Sequence, residues 1–371
     1  MRSITAALGV GISALLGVLP ASADSLDPAL SRLVLNPECH RQQNNGQFSS
    51  VGVFQQDSPQ YCQADNAAFT KLVNQWGFVL APNTMHSARS TGYGGFHFSF
   101  QGAFTTINDG ADYWTQGTQG VRDPTSNAAS IVGDPPGMIQ VYSAKIRKNF
   151  GFGMEGTTGV GFLPNTSIIM GGADARISLL EGFRTGIGGI LPDIMGGGSI
   201  RTITGTPEFQ LTTVGLDASI SKPLTIADSA IITPFIGYQY LWIFGDSGLI
   251  DATPATDPVG YCGFTGTDVP GNASPVEGDA KNGKNWYSGQ PVCAGGEPSD
   301  FNNNIVFRPA RLQRQRLLFG LNYRYEMVMV GGEFIMDMVD PADAQTDKKN
   351  QEFLKGEPRQ WTMAFSVGVM F

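Results

Sequence analysis

His97-Phe98-Ser99 places an imidazole and a hydroxyl two residues apart, on one face of any extended segment. A base beside a nucleophile is the start of acyl-transfer chemistry, which also needs an orienting group and an oxyanion site. The chain holds three histidines, His40, His86 and His97, and no third member of such a set is visible. The sequence is therefore read as that of a non-enzyme. The stretch 246–303 carries Asp246, Asp251, Asp257, Asp268, Glu277, Asp279, Glu297 and Asp300 against Lys281 and Lys284. Oxygen ligands of this kind suit calcium or magnesium, but the spacings match no EF-hand, and the acids read as a solvated loop. Cys39, Cys62, Cys262 and Cys293 lack zinc-ligand spacing. Three disulfide connectivities are open to them, and the short loops favour Cys39–Cys62 and Cys262–Cys293. Gly151-Phe152-Gly153 and Gly196-Gly197-Gly198 lack the strand–helix setting of a nucleotide-binding loop. Both read as bends. No metal and no cofactor is implied.

A second set of chemistry-bearing residues is spread along the chain. Lys145, Arg147, Arg176, Arg314, Arg316 and Arg324, with Asp174, Asp217, Glu333 and Asp337, all fall on the polar side of alternating segments. In Phe96-His97-Phe98-Ser99-Phe100-Gln101 every even position is aromatic and every odd one polar. Ile236, Tyr238, Tyr240, Trp242 and Phe244 make a similar apolar row. Period two marks strands with one greasy and one wet face. Leu317, Phe319, Leu321 and Tyr323 lead into a turn near Glu326-Met327, followed by Val328, Val330, Phe334 and Met336. A two-residue turn there pairs Tyr323 with Val330, Phe319 with Phe334, Leu317 with Met336 and Arg316 with Asp337. Register and facing then agree throughout.

Such rows fit either a soluble sandwich, greasy side in, or a membrane barrel, greasy side out. The polar rows mix both charge signs, as a confined wet lumen allows. The apolar rows carry aromatics toward strand ends, and the runs suit spanning strands of at least ~9–11 residues. Ten strands are expected, at 92–106, 138–148, 150–162, 167–180, 182–190, 208–221, 229–245, 304–325, 327–340 and 360–371. The connections after strands one, five, seven and nine are then the long ones, which places the chain's start in the periplasm. The expected fold is all-β, an antiparallel transmembrane β-barrel of about 10–12 strands (range 8–14).

Composition agrees. Charged residues make up only 15% of the 371 residues, and 48 are glycine, nearly double the usual ~7%. A formal charge of −8 argues against duplex nucleic acid as a partner. Residues 1–23 read as a signal peptide: Arg2, an apolar core from Ile4 to Leu19, then Ala21-Ser22-Ala23. Residues 24–91 form an N-terminal helical and disulfide segment. Within it Asp65 caps a helix over 66–80, with Phe69, Leu72, Val73, Trp76 and Leu80 at helical spacing and Pro82 beyond its end. We expect this helix to pack on the main body; a plug inside a barrel is the alternative. Residues 92–371 form the barrel, with 246–303 as its long outer loop.

The chain ends Trp361-Thr362-Met363-Ala364-Phe365-Ser366-Val367-Gly368-Val369-Met370-Phe371. An alternating last strand that closes on Phe resembles the assembly signal of Gram-negative outer-membrane β-barrel proteins, porin-like in a broad sense. The resemblance covers this strand specifically and 92–371 generally. It implies Trp361, Phe365 and Phe371 as an assembly signal, the barrel-insertion machinery and outer-membrane lipids as partners, and the cell outer membrane as the location.

Four functions are open. The first is a channel for passive diffusion of small hydrophilic solutes or ions, with the ten charged residues above lining the bore. The second is a fatty-acid-type transporter of apolar substrates, which needs a plug and an apolar pocket. The third is a structural or surface-binding barrel. The fourth, an outer-membrane acyl hydrolase, has only the likeness of His97-Phe98-Ser99 to the His-x-Ser pair of outer-membrane phospholipases, and is poorly supported.

Overall fold

Alternation carries straight into the architecture. The computed structural model describes residues 25–35, 63–92, 94–120, 135–181, 191–206, 208–227, 230–251 and 304–371, and the backbone of 262–264 and 291–293. Ten antiparallel strands run in chain order: β1 (Phe96–Thr106), β2 (Met138–Gly151), β3 (Met154–Phe162), β4 (Ile169–Leu180), β5 (Asp193–Thr204), β6 (Phe209–Ser221), β7 (Ala230–Ser247), β8 (Ala310–Tyr325), β9 (Val328–Asp337) and β10 (Trp361–Met370). Each pairs with the next, and β10 pairs back onto β1, with Phe98 opposite Val369. The sheet is therefore a closed barrel. Phe371 finishes the seam: its carbonyl accepts from Phe96 N at 2.7 Å, its N–H reaches Phe96 O at 3.0 Å, and the two rings stack.

The faces are inverted relative to a soluble protein. Phe100, Val160, Leu216, Phe365 and Val367 on the outer surface are exposed, whereas His97, Ser99, Lys145, Arg176, Arg316 and Glu333 are buried inside. Backbone groups in hydrocarbon must all be paired, and closure does that without leaving an edge. A closed antiparallel barrel with an apolar outer face and a polar inner one is the architecture by which β-strands cross a membrane.

The β8–β9 hairpin has the expected register, Arg316 opposite Asp337 and Tyr323 opposite Val330. Glu326, at a φ of 50°, makes its tight turn. The expected strand at 182–190 lies outside the described residues. The fifth strand is Asp193–Thr204, so the connection after it, 205–208, is short and the one before it, 181–192, is the longer. Gly196-Gly197-Gly198 sits within that strand rather than in a bend. Gly151-Phe152-Gly153 is a bend, with all three residues at positive φ. The eighth strand starts at Ala310. Asn304–Ile305 instead pairs with Ile250–Asp251 in the connection above.

One end of the barrel thus carries the connections that follow β2, β4, β6 and β8, together with Phe96 and Phe371, where the β1–β10 seam ends. The other carries the connections that follow β1, β3, β5, β7 and β9. These are called the short-turn and long-loop ends below.

The helix differs from expectation most. α1 (Asn66–Val79) begins where Asp65 accepts from Ala68 N at 2.9 Å, but it lies inside the bore. Its positions touch inner-face residues of the wall: a Cβ added at Gly77 would sit 2.4 Å from Ile243 Cγ2, and one at Gly245 2.4 Å from Val73 Cγ1. A helix can be buried all round when a wall surrounds it. From its residues Thr70 to Val79 only Lys71 escapes burial.

Candidate functional site

Two zones fill the bore. Toward the long-loop end the inner wall is apolar. Ala103, Val141, Met170, Leu211, Leu241, Ile243 and Leu312 enclose Phe69, Leu72, Val73 and Trp76 of α1. Phe69 stacks on Phe307 at 4.7 Å between centroids and meets Phe209 edge-on. Trp76 packs on Trp114 of the short helix α2 (Asp112–Thr115). Gln75 satisfies both ends of its amide here. Its oxygen accepts from Asn108 N (2.9 Å) and Trp114 Nε1 (2.7 Å), and its nitrogen donates to Tyr113 Oη (2.6 Å) and Glu357 (3.1 Å). Tyr113 also donates to Glu357. Burial, and then that carboxylate, push the Tyr113 phenol well above its usual range.

Toward the short-turn end the wall is charged. Arg176 on β4 reaches over β5 to Asp217 on β6 with two contacts of 2.8 and 3.0 Å. Gly197 stands in register between them. The absence of a side chain there makes the crossing possible, since a Cβ would lie 2.4 Å from Arg176 Cγ. Arg201 on β5 lies over Gly172, opposite it on β4, and binds Asp174 of that same strand at 2.8 and 3.1 Å. Nearer the long-loop end, at the level of α1, Arg314 grips Asp337 at 3.0 and 2.5 Å and donates to Asn74 at 2.7 Å. Arg314 and Arg316 both face the ring of Phe78, 4.8 and 5.2 Å from its centroid.

The segment after α1 uses up much of the rest. Pro82 lies just beyond the end of the helix, and its carbonyl accepts from Arg316 at 2.6 Å. Asn83 O accepts from Lys145 at 3.2 Å. Glu333 accepts from Thr84 Oγ1 (2.5 Å) and Met85 N (3.1 Å). Thr91 donates to Glu155 through N–H and hydroxyl. His86 is buried with Nδ1 2.9 Å from Ser87 O. Burial, then the charges of Arg147 and Arg176, hold its pKa well below the usual imidazole value.

All ten charged candidates lie on the lumen side, and all but Arg324 are buried; Arg324 stands at the short-turn mouth. The structure brings Arg176 to Asp217 and Arg314 to Asp337, while Arg316 binds Gln239 and Pro82 O rather than the Asp337 opposite it. Arg201, Gln239 and Asn74 were missed. Arg201 sat in the stretch read as a connection, although Ser199-Ile200-Arg201 alternates and could have flagged it. His97 and Ser99 share the inner face, yet neither nitrogen of His97 has a hydrogen-bond partner among the described residues. Asp246 pairs with Arg311 at 3.0 Å; the other acids of the outer loop, Asp251 apart, lie outside the described residues, as do Cys39, Cys62 and 1–23. Backbone register sets Cys262 opposite Cys293, a separation within disulfide reach for facing antiparallel residues.

Between the end of α1 and the wall lies a cavity of about 20 Å³, room for a single water. At the short-turn mouth a larger cavity of about 370 Å³ opens, bounded by His86, Arg147, Asn322 and Arg324.

The chain matches no protein-family model and no curated protein in sequence. Solved structures similar to it include Ail, the attachment invasion locus protein of Yersinia pestis, at 9% identity over 76% of this chain and 100% of that one, TM-score 0.24. The translocator domain of the autotransporter NalP from Neisseria meningitidis gives 12% over 82% and 96%, TM-score 0.30. Omp33 of Acinetobacter baumannii gives 7% over 75% and 98%, TM-score 0.25. These likenesses are too shallow to carry a role or a ligand across.

Proposed function

We propose that the protein is an outer-membrane barrel stoppered by its own N-terminal segment, closed at rest, and working through its long-loop face as a structural or surface-binding scaffold. The seating of α1 carries this reading. Phe69, Leu72, Val73, Trp76, Phe78 and Val79 are all buried in the bore. At ~1.5–3 kcal/mol for each large apolar side chain returned to water, emptying the bore costs on the order of 10 kcal/mol or more. An open state would then be populated below about one part in a million. The inner wall around the helix is apolar too, which suits a permanent core better than a wet passage. Much of the charged wall is spent on the segment 82–91 and on internal pairs.

The fatty-acid-type alternative gains a plug, but among the described residues no large apolar pocket is seen inside the bore. The apolar concavity of about 970 Å³ lies on the outer, lipid-facing surface around Gly102, Ala144 and Phe365. A channel for hydrophilic solutes remains the second reading. It is favoured by the cavity at the short-turn mouth, which under the usual loop asymmetry faces the periplasm. Export by residues 1–23, disulfides within 24–91 and 246–303, and insertion guided by Trp361, Phe365 and Phe371 complete the proposal.

Planar-bilayer recording of the purified full chain tests it. The expected result is a sealed membrane at high protein load. Steady ohmic steps overturn the stoppered reading and favour the channel.

A further inference from the structure

The cavity at the short-turn mouth is more than a gap left by packing. Arg147, His86 and Asn322 line it, and just behind its surface Arg147 Nε, His86 Nε2, both amide atoms of Asn322 and the nearby Glu155 Oε2 are enclosed without a hydrogen-bond partner among the described residues. The three lining residues are 5%, 2% and 3% exposed. A buried polar atom left without a partner costs about 1–3 kcal/mol, so folded proteins keep few of them. Three such residues around one opening is the pattern of a site whose partner arrives from outside. Its volume of about 370 Å³ falls in the ~300–1,000 Å³ range of small-molecule pockets.

Sorting donors from acceptors gives the ligand's chemistry. Arg147 offers only donors, and Arg324 stands at the rim with its Nε turned to Glu326 O. Glu155 accepts from Thr91 but keeps its charge beside Arg147, Arg89 is balanced by Glu181 at 3.8 Å, and Glu326 stands in the lining. Arg147 and Arg324 are the two guanidinium groups of the lining that make no carboxylate contact within 4 Å among the described residues, and they are the donors an anion would meet. His86 behaves differently. Ser87 O can only accept, so the proton of the neutral ring sits on Nδ1 and Nε2 presents a lone pair. A ligand must therefore donate to His86 while accepting from Arg147. Asn322 can do either. Ile231, Met329 and Met370 supply an apolar wall suited to the C–H face of a ring or chain.

We infer that this vestibule binds a small anion bearing hydroxyl groups, a sugar acid or a sugar phosphate, with its anionic oxygens on Arg147 and Arg324 and its hydroxyls on His86 and Asn322. A bare anion lacks the donor for His86, and a neutral sugar lacks the charge for the guanidinium groups. Access is from the short-turn end, because the bore beyond is filled. The site stands whether or not the bore can open.

Calorimetric titration of the full chain in micelles tests this, with glucose 6-phosphate and gluconate as probes and glucose and inorganic phosphate as controls. Saturable binding of either hydroxylated anion is expected, with each control weaker by about tenfold or more, as befits a lost charge-assisted or paired contact. Binding by only one of the two anions supports the site and names its anionic group. Arg147→Gln is expected to weaken binding by about tenfold, and Arg311→Gln, at the opposite end, to leave it unchanged. Arg324→Gln is the safeguard against misfolding: its side chain is exposed, so binding should fall while the thermal midpoint stays put. No saturable binding of either probe overturns the inference. Inorganic phosphate binding as tightly as glucose 6-phosphate, or glucose as tightly as gluconate, also overturns it.

Discussion

Gly197→Ala is the sharpest perturbation of the charged zone. In an ordinary strand the change gains about 0.5–1 kcal/mol, because alanine loses less conformational freedom on folding. Here the new Cβ meets Arg176 Cγ at 2.4 Å, with Ala175 O at 2.8 Å. Arg176 must leave its path over β5, and the Arg176–Asp217 pair, both side chains 1% exposed, separates. Overpacking a filled interior costs ~1–3 kcal/mol, and breaking a buried ion pair by losing one partner ~3–5 kcal/mol. Some relaxation is available, so a net loss of about 2–4 kcal/mol is expected. The assay is urea unfolding of the barrel in phospholipid vesicles, followed by tryptophan fluorescence. Gly171→Ala is the control, since nothing lies within 4 Å of its added Cβ. The decisive comparison repeats Gly197→Ala in an Arg176→Ala, Asp217→Ala background. The backbone contact to Ala175 persists in both backgrounds and cancels, so the cost must shrink by the share that Arg176 contributes. An equal cost in both backgrounds refutes the idea that the glycine is there to let the arginine across.

Three further outcomes are expected. Val73→Cys with Gly245→Cys should crosslink on mild oxidation, because a Cβ at 245 would lie 3.1 Å from Val73 Cβ; a helix resting outside the barrel gives no 73–245 peptide in the mass spectrum. Asp337→Ala should destabilise the barrel by about 3–5 kcal/mol, since it strands the buried Arg314, and Arg314→Leu added to it should recover much of that loss in the same urea assay. His86 should make stability fall with acid. Its folded pKa is depressed, first by burial and then by Arg147 and Arg176, so the unfolded chain binds the extra proton. The contribution is complete above the unfolded value of about 6.5 and is lost below it at up to ~1.4 kcal/mol per pH unit. Unfolding midpoints measured from pH 7 down to 5 should drop more steeply for the parent than for His86→Gln.

Strand faces were legible because period two is a local property. Phe96 to Gln101 and the β8–β9 hairpin announce both their facing and their register. β5 was misread because its inner positions include Gly197, whose emptiness serves Arg176 on the next strand. A pattern search sees no polar residue there and reads a loop. The helix was legible as a helix from Asp65 to Pro82, but not as a plug. Its apolar spacing asks only for a greasy partner, and whether that partner is an outer surface or an inner wall depends on Ala103, Val141, Leu241 and Ile243. Those sit at inward positions of strands whose outward positions are greasy as well, so no alternation marks them.

Barrel width ties these features together. Eight strands leave an interior that side chains alone can fill. Ten leave a gap, and an α-helix about 10–12 Å across is wide enough to close one. α1 does so from Asn66 to Val79 in the half where the wall is apolar. Pro82 then takes the chain out of helical geometry, and a single extended strand is much thinner than a helix. The narrower segment 82–91 cannot span the remaining width, so the wall must lean inward: arginines laid across Gly172 and Gly197 supply part of that filling. What they do not fill is the vestibule at Arg147 and Asn322. The cavity is therefore set by where the helix stops, and lengthening the helix by replacing Pro82 would be expected to erase the pocket before it weakened the barrel.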